Sequence, residues 1–138
     1  MGCCDKKKSI DDIYIPINRR LVDFAIQVTD AETQLRYPTT KLYLFTFIDN
    51  EQMCTECAEK FGAMLEWMSK YGLMSDPVNN VKWIIEDEMF KNHIVNDIGI
   101  TKSPTHLICS GDGNIRDIVA GFPTPDWLET HFLQMLRK

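Results

Sequence analysis

Hydrophobic and polar positions change period several times along the chain, and each change marks an element. From Ile10 to Ile17 the apolar residues Ile13, Ile15 and Ile17 alternate, which predicts a short strand ending near Pro16 and Asn18. Leu21, Phe24, Ala25, Val28, Ala31 and Leu35 then recur at helical spacing. Pro38 closes that helical region, because the residue before a proline is pushed out of the α conformation. Leu42 to Ile48 is a nearly unbroken run of β-formers, as expected of a strand covered on both faces. Ala58, Phe61, Met64, Leu65, Met68 and Tyr71 return to helical spacing, with Gly72 as the stop. Asp76, Pro77, Asn79 and Asn80 form a loop, Val81 to Ile85 a strand, and Met89 to Ile98 a short helix ending at Gly99.

The last third of the chain carries its own turn chemistry. Thr105 to Cys109 and Ile115 to Val119 are two strands joined by Ser110-Gly111-Asp112-Gly113-Asn114, whose glycines tolerate the positive φ of a hairpin turn. Thr124-Pro125-Asp126 places an N-cap, a first-position proline and a first-turn acid in the preferred order. Trp127, Leu128, Phe132, Met135 and Leu136 follow on a final helix. The order β-α-β-α-β-α-β-β-α, without an internal repeat, predicts an α/β fold: a central mixed β-sheet flanked by helices on both faces.

Composition narrows the class. The 138 residues are 44% hydrophobic and 25% charged, which suits one domain over residues 10–138 behind a flexible tail, residues 1–9. A net charge of −5 without a basic stripe argues against direct contact with nucleic acid. No apolar run approaches the ~20 residues of a membrane helix, and no secretory leader is evident, so a reducing cytoplasm is the expected location.

Of the five cysteines, only Cys54 and Cys57 have a spacing that carries chemistry. Cys54-Thr55-Glu56-Cys57 stands at the seam between a predicted strand and a predicted helix. There the N–H groups and partial positive charge of the first helical turn favour a thiolate. Cys57, one turn along, can swing back onto a sulfur bonded to Cys54. A CxxC pair is also half of a zinc site, but adjacent Cys3 and Cys4 make a poor second half, and His93, His106 and His131 are scattered singly; no metal is expected. Cys109, between apolar neighbours, reads as a small buried hydrophobe. Cys3-Cys4 before Lys6-Lys7-Lys8 has the outline of a lipid anchor, yet Lys6 stands where the myristoylation pattern wants Ser or Thr.

Taken together, Cys54-Thr55-Glu56-Cys57 after the central strand, Ser103-Pro104-Thr105 before the last hairpin, and Gly113 and Gly121 resemble the thioredoxin-like superfamily from about Ile13 to the C-terminus. The resemblance implies a thioredoxin fold and a cis peptide between Ser103 and Pro104, facing the cysteines. It also implies that Met53, Ser103, Pro104 and Gly121 bind an extended substrate segment, with the Ser103 backbone as an open edge. Cys54 would attack a protein disulfide and Cys57 would resolve the mixed disulfide; a recycling thiol reductase would restore the dithiol, and no cofactor is implied. Phe47 and Phe122 would be the nearest aromatic residues.

Several residues depart from thioredoxin proper. Met53 replaces a tryptophan, and Thr55-Glu56 replaces Gly-Pro. The family's buried carboxylate has no clear counterpart: the position falls on Thr46 or Ile48, and Asp49 is expected in water at the strand's end. Glu56 complements the helix dipole but opposes thiolate formation at Cys54, so it tunes that pKa upward. These departures leave two functions open: a protein-disulfide reductase, and a thioredoxin-fold binding subunit of a partner complex in which redox activity is secondary.

Overall fold

The computed structural model describes residues 17–49 and 55–137, apart from the Cys57 side chain. The strand predicted over residues 10–17 lies outside the described residues but for Ile17, which belongs to no element. The tail with Cys3 and Cys4, Met53 and Cys54 also lie outside them.

The described chain opens with α1 (Arg19–Val28) and α2 (Ala31–Arg36), where periodicity predicts a single helix. The break has a local cause. Thr29 turns its hydroxyl back onto the Ala25 carbonyl at 2.8 Å, and Asp30 begins a new helix by capping the Thr33 N–H at 3.0 Å. β1 (Leu42–Asp49) follows, then α3 (Thr55–Lys70) and β2 (Val78–Ile85). β2 starts earlier than its apolar residues alone predict, because Asn80 satisfies its amide on the Leu73 carbonyl at 2.9 Å and stays in the ladder.

Asp87 caps α4 (Glu88–Asn92), which widens into a π-helical segment (His93–Ile98) and stops at Gly99 with φ 95°. The hairpin β3 (Thr105–Ser110) and β4 (Ile115–Ala120) turns at Gly113, φ 91°, where a Cβ would sit 2.3 Å from the Thr29 hydroxyl. Thr124 caps α5 (Pro125–Trp127), with Pro125 in its first turn. A π-helical segment (Leu128–Phe132) and α6 (Leu133–Arg137) complete the chain.

The four described strands form one mixed sheet in the order β2-β1-β3-β4. β1 runs parallel to β2 and antiparallel to β3, so it is central, and all its residues are buried. Its alternation divides the core in two. Tyr43, Phe45 and Phe47 face Leu21 and Ala25 of α1 and Ile94 and Ile98 of the π-helical segment. Leu42 and Leu44 face Met64 and Met68 of α3 and Trp127, Leu128 and Phe132 near the C-terminus. Helices therefore cover both faces, the layered arrangement expected from the element order.

Candidate functional site

Of the sequence-predicted site residues, Ser103, Pro104 and Gly121 gather at the C-terminal end of β1, while Met53, Cys54 and the Cys57 side chain lie outside what is described. α3 begins at Thr55, six positions after the last residue of β1, so Cys57 occupies its first turn and Cys54 immediately precedes the helix. Ser103 and Pro104 lead into β3 beside that end of β1, with Thr105 opposite Phe47 in the ladder. The Ser103–Pro104 peptide is cis.

Two hydrogen bonds tie this segment to its neighbours. The Asp49 N–H donates to the Ser103 hydroxyl at 2.7 Å, and the Gly121 N–H donates to the Pro104 carbonyl at 2.7 Å. Ser103, Pro104 and half-buried Gly121 thus belong to one cluster with the end of β1. Ser103 itself is buried, at 1% exposure, with its hydroxyl turned inward to accept from the Asp49 N–H.

The acid at the strand end is also placed differently from expectation. Asp49 is 2% exposed and out of bulk water, and its Oδ2 lies 3.3 Å from the Lys91 Nζ on α4. A carboxylate this enclosed needs a cation beside it, and α4 supplies one. Glu56 lies on the first turn of α3 and pairs with Lys60, one turn on, at 3.4 Å. The partner offsets part of the Glu56 charge on that turn.

Behind the site, Thr46 and His106 stand opposite one another in the β1–β3 ladder, both buried. Thr46 Oγ1 and His106 Nδ1 are 3.0 Å apart. Burial pushes the imidazole pKa down to about 4; the Gly121 backbone pulls weakly the other way. Thr46 therefore occupies one of the two positions where a carboxylate was sought, and its partner is a neutral imidazole. The residue pattern carried one signal for this pair: a threonine and a histidine interrupting two runs of β-formers.

Phe122 packs its ring against His106 at 5.9 Å between centroids and against Phe61 of α3 at 5.5 Å, so it bridges β3 and α3. Phe47 is on the opposite face of the sheet from Phe122, stacked on Trp83 at 5.1 Å. Cys109 is fully buried, and burial, with a smaller push from Asp112, raises its thiol to about 12, which makes it inert. Among the described residues no group of three or more His, Cys, Asp or Glu could hold a metal ion, and no helix is long and apolar enough to cross a membrane.

Solved structures share this arrangement of sheet and helices. A putative thiol:disulfide interchange protein DsbE from Chlorobium tepidum is 18% identical, covering 74% of this chain and 84% of its own, with a TM-score of 0.55. Thioredoxin f2 of Chlamydomonas reinhardtii is 14% identical over 82% of this chain and 90% of its own, TM-score 0.54. The chain has the thioredoxin fold. Thioredoxin-2 of the malaria parasite, described as a component of its protein secretion machinery, matches at 12% identity over 68% of this chain and 82% of its own, TM-score 0.52. No family model and no curated protein sequence matches the chain. Within the thioredoxin fold, the end of the central strand and the start of the following helix are where this chain carries its CxxC pair.

Proposed function

We propose that the chain is a thiol–disulfide oxidoreductase that reduces or exchanges protein disulfides through Cys54 and Cys57. The observation that supports this reading is the start of α3 at Thr55, inside the Cys54-Thr55-Glu56-Cys57 motif, a few residues beyond the end of β1 that Ser103 meets. The positive end of a 16-residue helix favours the thiolate at its mouth. Cys54 attacks one sulfur of the substrate disulfide; that S–S bond breaks, a mixed disulfide forms, and the other substrate sulfur leaves as thiolate. Cys57 then attacks the Cys54 sulfur, releasing the second substrate thiolate and leaving a Cys54–Cys57 disulfide. A recycling thiol reductase, the second partner this reading requires, returns two electrons and two protons. A reducing cytoplasm is the compartment in which that cycle runs. Met53, Ser103, Pro104 and Gly121 are the proposed contacts for the substrate chain, with Glu56 tuning the thiolate.

A Cys57→Ser variant used as a trap tests the reading. Expected is the accumulation of mixed disulfides through Cys54 with particular proteins, released by dithiothreitol. A complex that persists in the Cys54→Ser, Cys57→Ser double variant would instead identify a binding subunit with secondary redox activity.

A further inference from the structure

On the face of the sheet that α3 covers, a groove of about 170 Å³ runs between that helix and β2. Leu44 and Thr46 of β1 form its floor, Phe61 and Leu65 of α3 one wall, and Asn80 and Lys82 of β2 the other. Alternation puts Asn80 and Lys82 on this face, because they stand beside Leu44 and Thr46 in the parallel ladder and Leu44 points towards α3. The lining is apolar along the helix and ends, on the strand side, in a cation.

That cation is held in an unusual way. Lys82 is exposed, yet its Nζ stands 5.5 Å from the centroid of the Phe61 ring instead of reaching away into water. The ring face steadies the ammonium and leaves its outer hydrogens able to donate. The chain carries a net charge of −5, and Arg19, Arg20, Arg36, Lys60 and Lys91 each have a carboxylate within 4.0 Å. Lys82 has no such carboxylate among the described residues.

Phe61 also joins the groove to the strand-end cluster. Its ring meets Phe122 edge-on at 5.5 Å, and Phe122 follows Gly121, whose N–H donates to the Pro104 carbonyl at 2.7 Å. A polypeptide lying against Pro104 and Gly121 therefore has an apolar groove and a fixed positive charge within reach. An apolar side chain fits the groove, and an acidic one complements Lys82. We propose that Lys82 selects protein substrates carrying a carboxylate side chain beside an apolar one close to the exchanging disulfide, an assignment that rests on reading the chain as a thiol–disulfide oxidoreductase. Because Phe61 already restrains the lysine, less side-chain freedom is lost on pairing than at an unsupported lysine. A basic segment in the same place is repelled, so the device discriminates as well as attracts. The pair forms in water and is screened by salt, so it acts mainly on encounter and on the choice among substrates.

Peptides with a single cysteine, activated as the mixed disulfide with thionitrobenzoate, test the assignment. Each carries a leucine and, next to it, a glutamate, a glutamine or a lysine, placed before the cysteine in one set and after it in another. In a Cys3→Ser, Cys4→Ser background, attack by the motif on the peptide sulfur breaks the S–S bond, and thionitrobenzoate leaves and reports the rate by its absorbance. In at least one set the glutamate peptide should react about fivefold or more faster than the glutamine peptide at low ionic strength, an advantage that fades in about 1 M salt. Lys82→Gln should bring that ratio to within about twofold, and Lys82→Glu should reverse the order in favour of the lysine peptide. A reversed preference is a gain that misfolding does not produce. An undiminished ratio in Lys82→Gln, or no reversal in Lys82→Glu, overturns the assignment. So do equal rates for the three peptides in the parent protein, the outcome if this chain's own residues or a second copy occupy the groove. Retention of every peptide as a stable mixed disulfide, read by mass, overturns the exchange reading instead, while the rate ratios still judge Lys82.

Discussion

Glu56 shows how a single contact changes a chemical expectation. On the proposed dithiol reading its carboxylate opposes a thiolate at Cys54, and the Lys60 ammonium at 3.4 Å, sharing that charge on a partly exposed helix face, keeps the opposition small. Glu56→Gln should raise the rate of thionitrobenzoate release from dithiobis(nitrobenzoate) at pH 7 by about twofold, with the thiolate absorbance appearing at lower pH than in wild type; a slower variant would contradict this. His106 predicts a pH dependence of stability. Its imidazole titrates near pH 6.5 in the unfolded chain and at about 4 in the fold, so the unfolded state binds more protons between these values. Stability is fully present above about pH 6.5 and is lost as the pH falls towards 4, by roughly 3 kcal/mol. Urea unfolding at pH 7.5 and 4.5 should show that loss in wild type, and His106→Leu should remove most of it.

At the scale of elements, local chemistry was legible wherever a cap or turn residue stood beside the change of period. Thr124-Pro125, Gly99 and Gly113 end or begin elements where their residue types direct. Thr29-Asp30 carries an equally local signal, a cap inside a helical pattern, and periodicity that counts Leu35 as a core residue hides it; Leu35 is 83% exposed. Asn18 has a role that no local pattern contains. Its Oδ1 caps the Leu21 N–H at 2.9 Å while its Nδ2 donates to the Ile98 carbonyl at 3.3 Å, tying α1 to the end of the π-helical segment. Asn18→Ala should lower unfolding free energy by about 1–2 kcal/mol, measured by urea denaturation, without changing the rate of either thiol step.

For the whole molecule, protection should follow depth in the sheet. β1 is paired on both sides and buried on both faces, whereas α2 has no buried residue. Amides of β1 should exchange only through global unfolding, and those of α2 through local opening, with hydrogen-exchange protection higher in β1 by several orders of magnitude. Comparable protection in the two would contradict the layered core. By itself the chain of residues determined β1, the hairpin, the Thr124 cap and the mixed sheet with helices on both faces, because these follow from side-chain period, turn chemistry and spacing over a few residues. The tertiary structure decided the rest. Whether Asp49 sits in water or against Lys91, which face receives Phe47, where the Ser103 hydroxyl turns and what partners Thr46 all depend on packing between segments distant in sequence. The Thr46–His106 contact spans 60 residues and the Asp49–Ser103 contact 54, and a local pattern of polar and apolar positions carries no record of such distances.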